Sequence, residues 1–203
     1  KRGLAITPVK FGISFTATFL NQAGALLLVY RDGTVQVNHG GTEMGQGLHT
    51  KLKGVVMREL GVAADAVRVM ATQTDKVPNT SATAASSGSD LNGQAVRIAC
   101  DTIKERLLPV AAALLSSEAG ATIPADSVAF SDGAVSSPLA KGVSIPFGKV
   151  VEAAYFQRIS LSATGFYQTP NLGYDPAKGK GRPFFYFAYG AAVSEVEVDS
   201  FSG

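Results

Sequence analysis

The residues best suited to chemistry fall in two short stretches. The first is His39-Gly40-Gly41-Thr42-Glu43-Met44-Gly45-Gln46-Gly47-Leu48-His49-Thr50, in which four glycines stand just before a helical pattern. Glycine lets backbone N–H groups come close to a ligand. A helix N-terminus adds unpaired donors and partial positive charge, so the stretch suits an anion. No Gly-Lys-Ser/Thr closes it, and Gly45-x-Gly47 lacks the third glycine of a dinucleotide fingerprint. Gln46 is neutral and polar at the helix start, and its amide can donate to an oxo or phosphate oxygen. The plainer reading is a glycine-rich turn between a hairpin and a helix. The second stretch, Thr80-Ser81-Ala82-Thr83-Ala84-Ala85-Ser86-Ser87-Gly88-Ser89-Asp90, is built of small residues ahead of the longest helical pattern. Small side chains leave backbone and hydroxyls open to a bulky ligand; the alternative is a surface loop with Ser89 or Asp90 as helix cap. Phe11–Thr16 offers a third candidate, an aromatic beside a hydroxyl for a planar substrate, against an ordinary core Phe in a strand. His39 and His49 read as structural or surface residues. Glu43 reads as an acid or base, or more simply as a surface carboxylate. Cys100 sits on the apolar side of a helix and reads as a small buried hydrophobe.

These stretches need elements to hold them. Ala25–Tyr30, the turn Arg31-Asp32-Gly33 and Thr34–Asn38 predict a β-hairpin. Gln46–Leu60 carries Leu48, Leu52, Val55, Val56 and Leu60 on one helical face, and Gly61 ends it. A strand is expected over Ala66–Ala71. Leu91, Ala95, Ile98, Ala99, Ile103 and Leu107 mark a second helix, which Pro109 is expected to bend or end. Ser127–Ser137 suggests a short hairpin, Phe147–Arg158 a helix, Ile159–Tyr167 a strand, Asn171–Pro183 a loop and Phe184–Asp199 one or two strands. Mixed hairpins and sheet packed against helices define an α+β class. One domain over 1–203 is expected, with a sub-boundary near 116–126.

Composition narrows the function classes. The 203 residues are 46% hydrophobic and 17% charged, with 18 basic against 16 acidic residues and a net charge of +2. That composition excludes disorder and predicts no strong field for nucleic acid or membrane. One cysteine excludes a disulfide scaffold, and with two histidines it argues against a Cys/His zinc site. No apolar run approaches the ~18 residues of a membrane span. Lys1–Lys10 lacks a secretory core, so a cytoplasmic location is the default. A start without Met and an end at a strand and turn suggest a piece of a larger protein. The low charge suggests surface covered by a partner.

Taken together, the motifs resemble a family. Lys10–Thr16, Phe19–Ala25, Gly40–Lys51, Val77–Thr80, Thr83–Ser86, Asp90–Val96, Ser162–Tyr167 and Tyr189–Asp199, in that order, are similar to the metal-binding part of the molybdenum hydroxylases. The resemblance spans nearly the whole chain and is closest to the purine-oxidising members. It implies a molybdenum–pterin cofactor held by Met44, Gly45, Gln46, Thr83, Ala84, Ala85 and Ser86. Gln46 and Ala85 would lie near the metal without ligating it through a side chain, with Gln46 donating to an oxo ligand. Phe15 and Thr16 would contact the substrate. The implied reaction is hydroxylation of purines, hypoxanthine and xanthine to urate, with water as oxygen source. Electrons would leave through 2Fe-2S clusters and FAD to NAD. The implied partners are the rest of the molybdenum subunit, the Fe–S/FAD subunit or domains, the purine and NAD, in an oligomer, with neither nucleic acid nor membrane.

The alternatives are an aldehyde-oxidising relative, a non-catalytic anion-binding module, and an interaction module using Phe184–Phe187. The chain departs from the family pattern at several points. It has no Gly-Glu-Pro motif carrying the general-base glutamate, so no catalytic residue is assigned. The substrate-clamping Glu and Arg lie outside it, and Gly88 stands where relatives often carry Ser. There is no Fe–S cysteine pattern and no flavin domain. A fragment that does not turn over by itself is therefore expected.

Overall fold

Asp32 sets the first hairpin. Its carboxylate accepts from the Thr34 backbone N–H (2.9 Å) and hydroxyl (2.7 Å), an Asx turn that reverses the chain. The strands it joins, β2 (Gln22–Val29) and β3 (Val35–His39), belong to the larger of two units in the computed structural model, which describes residues 1–203. The larger unit is Phe19–Gln168, and the smaller combines Lys1–Thr18 with Thr169–Gly203. The stretch 116–126 is the end of a helix and the connection after it, inside the larger unit.

In the larger unit β2 pairs antiparallel with β3 and with β8 (Ser162–Gln168), while β3 pairs parallel with β4 (Val67–Val69). Parallel pairing requires a crossover, and helix α1 (Leu48–Leu60) supplies it. Ala23, Ala25, Leu27 and Val29 alternate inward on β2, as do Val35, Val37 and His39 on β3. They pack with Leu48, Leu52, Val56 and Leu60 of α1, one residue per turn on a single stripe. Helix α2 (Gly88–Ala119) runs 32 residues, contributing Leu91, Ala95, Ala99, Ile103 and Leu107 to the same core. Its passage across β8 depends on Gly165: a Cβ there would stand 1.9 Å from the Ala95 carbonyl oxygen.

Helix α2 does not end at Pro109 but continues to Ala119. Pro109 and Glu105, whose carbonyl loses its helical donor, are both exposed, so water can take that bond. The expected cap is also corrected. Ser89 and Asp90 lie inside the first turn, and Ser87, just before it, donates its hydroxyl to the Ala84 carbonyl (3.0 Å). A small sheet of β5 (Ala129–Ser131), β6 (Ala134–Ser136) and β7 (Ser144–Pro146) leads into α3 (Phe147–Phe156).

The smaller unit is all β. Strand β1 (Arg2–Ile13) pairs antiparallel along its whole length with β11 (Tyr186–Glu197), from Arg2 opposite Glu197 to Ile13 opposite Tyr186. The segment read as a loop, 171–183, holds a second short ribbon of β9 (Gly173–Asp175) and β10 (Lys180–Arg182). No helix is long and apolar enough to cross a membrane. The observed mixture of helices and small sheets is the α+β class read from the sequence.

Candidate functional site

The glycine-rich segment between β3 and α1 bonds its backbone polar groups both to its own side chains and to residues far along the chain. The Gly41 N–H donates to buried His39 Nδ1 (3.1 Å), and Thr72 Oγ1 donates to the Gly41 carbonyl (2.6 Å). Glu43 accepts three backbone N–H groups: Gly45 (2.9 Å) and Gly47 (3.0 Å) on one oxygen, His49 (2.9 Å) on the other. These bonds, led by the one from His49, hold its carboxyl below the usual carboxylate range. Glu43 therefore fastens the glycine loop to the first turn of α1, whose N-cap residue is Gly47. Gln46 accepts from the Met44 N–H (2.6 Å) and donates to the Thr42 carbonyl (2.8 Å).

The second loop is tied to the first and to the sheet. Thr83 Oγ1 accepts the Thr42 N–H (2.8 Å), Ser81 Oγ donates to the Leu20 carbonyl, and Asn79 Nδ2 donates to Gln22 Oε1 (3.2 Å). Ala85 (φ 53°) and Ser86 (φ 54°) are both left-handed, a conformation costing a non-glycine residue roughly 1–2 kcal/mol. Neither of their N–H groups finds a backbone acceptor in the chain, so two adjacent donors remain for a ligand.

Between the loops lies a cleft of about 460 Å³ lined by Met44, Gln46, Leu48, Lys51, Thr83, Ala84, Ala85, Ser86, Gly88 and Ser89. Both α1 and α2 begin at it, so two helix N-termini and Lys51 face the same space. No carboxylate is among its lining residues. That donor set fits an anionic ligand with a bulky body and oxygen acceptors. A larger depression near α3, about 750 Å³, is lined chiefly by apolar residues such as Leu114, Val143, Ile145 and Phe156 and lacks such convergence.

Of the residues singled out from sequence, Met44, Gln46, Thr83, Ala84, Ala85 and Ser86 line the cleft, and Gly45 lies between two of them. Phe15 and Thr16 belong to the smaller unit, following β1; there Ser14 (φ 136°) accepts the Phe185 N–H at Oγ (3.4 Å). Lys51, Gly88 and Ser89 also line the cleft; Gly88 and Ser89 fall in the second stretch singled out from sequence, and Lys51 had no site role there. Lys51 was legible only as a lysine one turn beyond a glycine loop, a place equally suited to a solvated side chain. His39 and His49 form an edge-to-face pair with centroids 5.0 Å apart. Burial, reinforced by His49, pushes His39 down to about 4. Cys100 is buried and its thiol is pushed up to about 12 by burial, an inert core residue as its position in the helix suggested. No group of three or more His, Cys, Asp or Glu is arranged to hold a metal ion. A metal at this cleft would be carried by a ligand that the loops bind.

The family is defined at this point. Residues 1–203 match the molybdopterin cofactor-binding domain, and the chain belongs to that family. It is 47% identical over 203 residues to a xanthine dehydrogenase of Oryza sativa subsp. japonica and 49% identical to a xanthine dehydrogenase/oxidase of Felis catus. Each alignment covers 100% of this chain and 13% of the relative, so the chain spans about an eighth of those proteins. Among solved structures, quinoline 2-oxidoreductase from Pseudomonas putida 86 superposes with a TM-score of 0.73 at 23% identity, over 96% of this chain and 25% of that one. Reconstituted CO dehydrogenase from Oligotropha carboxidovorans gives 0.74 at 18% identity, over 96% and 23%. These two share the fold.

Proposed function

We propose that this chain is the cofactor-binding part of a xanthine dehydrogenase-type molybdenum hydroxylase. The whole protein would convert hypoxanthine and xanthine to urate with water as oxygen source, passing electrons through 2Fe-2S clusters and FAD to NAD. The observation that carries the reading is the convergence of the two loops, with both helix starts and Lys51, on one carboxylate-free cleft. Whole-chain similarity to xanthine dehydrogenases supports the purine assignment over an aldehyde one.

When bound, the molybdenum–pterin cofactor supplies the two-electron redox chemistry. The chain's residues hold and orient it. The free N–H groups of Ala85 and Ser86, the Ser86 and Ser89 hydroxyls and Lys51 bind its anionic oxygens. Met44, Gly45 and Thr83–Ala85 shape the remaining walls. Gln46 uses one amide hydrogen on Thr42 and would keep the other to donate, as a fixed dipole, to the bound cofactor. Phe15 and Thr16 orient the planar substrate. The general base, the Fe–S and FAD parts and the oligomer interface come from the rest of a cytoplasmic protein.

The test is elemental analysis of the parent protein with xanthine turnover beside it. Roughly stoichiometric molybdenum is expected, with iron, and a Gln46→Ala loss of about 10²-fold in kcat, the scale of one removed transition-state donor. Absence of molybdenum in folded protein from cells that make the cofactor would overturn the reading in favour of an anion-binding module. The isolated 203 residues should not oxidise xanthine; turnover by them would overturn the fragment assignment.

A further inference from the structure

Gln46 stands between two glycines in the left-handed region, Gly45 (φ 93°) and Gly47 (φ 76°). A Cβ at either would meet nothing within 4 Å, so conformation and not space calls for glycine there. Two such hinges would leave the residue between them loosely held. A single carboxylate prevents this. Glu43 Oε1 accepts the N–H groups of both hinges, at 2.9 and 3.0 Å, and Oε2 accepts that of His49 in the first turn of α1, at 2.9 Å. The backbone on each side of Gln46 is thereby fastened to one point, and that point to the helix. The Gln46 amide is then fixed in sense. Its oxygen takes the Met44 N–H and its nitrogen gives to the Thr42 carbonyl, so a flip would lose both bonds. What remains for the cleft is one N–H donor in a set place.

We infer that Glu43 is a positioning residue that acts through Gln46, making Gln46 a donor of fixed orientation; the catalytic part of this inference rests on the cofactor reading above. Glu43 is not among the residues that line the cleft. Its effect is geometric, and misplacement of a catalytic group by about 1 Å can cost on the order of 10²-fold in rate.

The experiment uses the full-length parent protein as Glu43→Ala, Glu43→Gln, Gln46→Ala and the Glu43→Ala/Gln46→Ala double variant. Three readouts are taken: molybdenum content, steady-state kinetics with xanthine at equal molybdenum, and hydrogen exchange of the peptide covering 43–49. Glu43→Ala should speed exchange in that peptide and lower kcat about tenfold or more with little change in KM. In the Gln46→Ala background it should lower kcat no further. Glu43→Gln keeps one acceptor oxygen for Gly45 and Gly47 and should recover part of the loss; it also serves if the alanine variant fails to fold. Unchanged exchange in both Glu43 variants would overturn the inference whatever the kinetics. So would multiplicative losses in the double variant. Faster exchange with a fully active Gln46→Ala would sustain the positioning of the loop and sink the function assigned to Gln46.

Discussion

The two units handle apolar surface in opposite ways. The larger unit closes a sheet, two crossing helices and a third around Leu27, Leu52, Val56, Ile103, Leu107 and Leu115, each at most 1% exposed. In the smaller unit Ile13 is the one fully buried apolar side chain, while Leu4, Ile6, Tyr189 and Val193 are 67–74% exposed along the β1–β11 ribbon. The larger unit is ordered by packing. The ribbon is ordered by its backbone ladder and by cross-strand pairs such as Arg2 with Glu195 and Glu197, and two-stranded ribbons are marginal on such terms. The cleft loops Met44–Gln46 and Thr83–Ser86 lie in the unit that is ordered by packing, which suits a site needing fixed donors.

Truncation sharpens the contrast most. Leu107→Ala should cost about 2–5 kcal/mol in urea unfolding of the chain, since it empties space at the centre of the α2 stripe. Acid tests the same unit through His39. The unfolded chain takes up this proton near pH 6.5 and the folded chain only near 4. The stabilisation from keeping His39 neutral is therefore complete above pH 6.5 and is lost as pH falls toward 4. On the order of 2–3 kcal/mol is expected over that window. Replacing His39 by Gln should remove that slope, read as the difference between the two stability–pH curves.

Glycine replacement separates the units by shape. Gly165→Ala forces α2 away from β8 and should cost about 1–3 kcal/mol, whereas Gly190→Ala on the ribbon meets nothing within 4 Å and should stay within about 0.5 kcal/mol. The smallest effect belongs to Ile6→Ala, 67% exposed, also within about 0.5 kcal/mol. A loss like that of Leu107→Ala at Ile6 would break the contrast.

The larger unit was the more readable from sequence for the same physical reason. Leu48, Leu52, Val56 and Leu60 advertise their helix because packing selects one apolar residue per turn. Glycines and small residues beside helix starts marked both loops. The ribbon was legible only in part: the run Phe184–Asp199 marked β11, whereas β1 carries Pro8, Lys10 and Gly12 among apolar residues, and its partner strand begins at Tyr186, so the pairing is not encoded nearby. Continuation of α2 through Pro109 was illegible because it depends on which side of the helix faces water. The role of Glu43 depends on a backbone fold in which three N–H groups turn toward one side chain, and residue type alone does not carry that.

The contact between Gly165 and Ala95 also sets an order of events during synthesis. Helix α2 has its seat on β8 only after some 70 further residues have been made. Until then the small-residue loop preceding α2 is joined to a helix that can pack on α1 and β2 but not on its third neighbour, β8. The sheet that backs α2 is thus completed late, when its last strand arrives, although every residue that lines the cleft has been made before it.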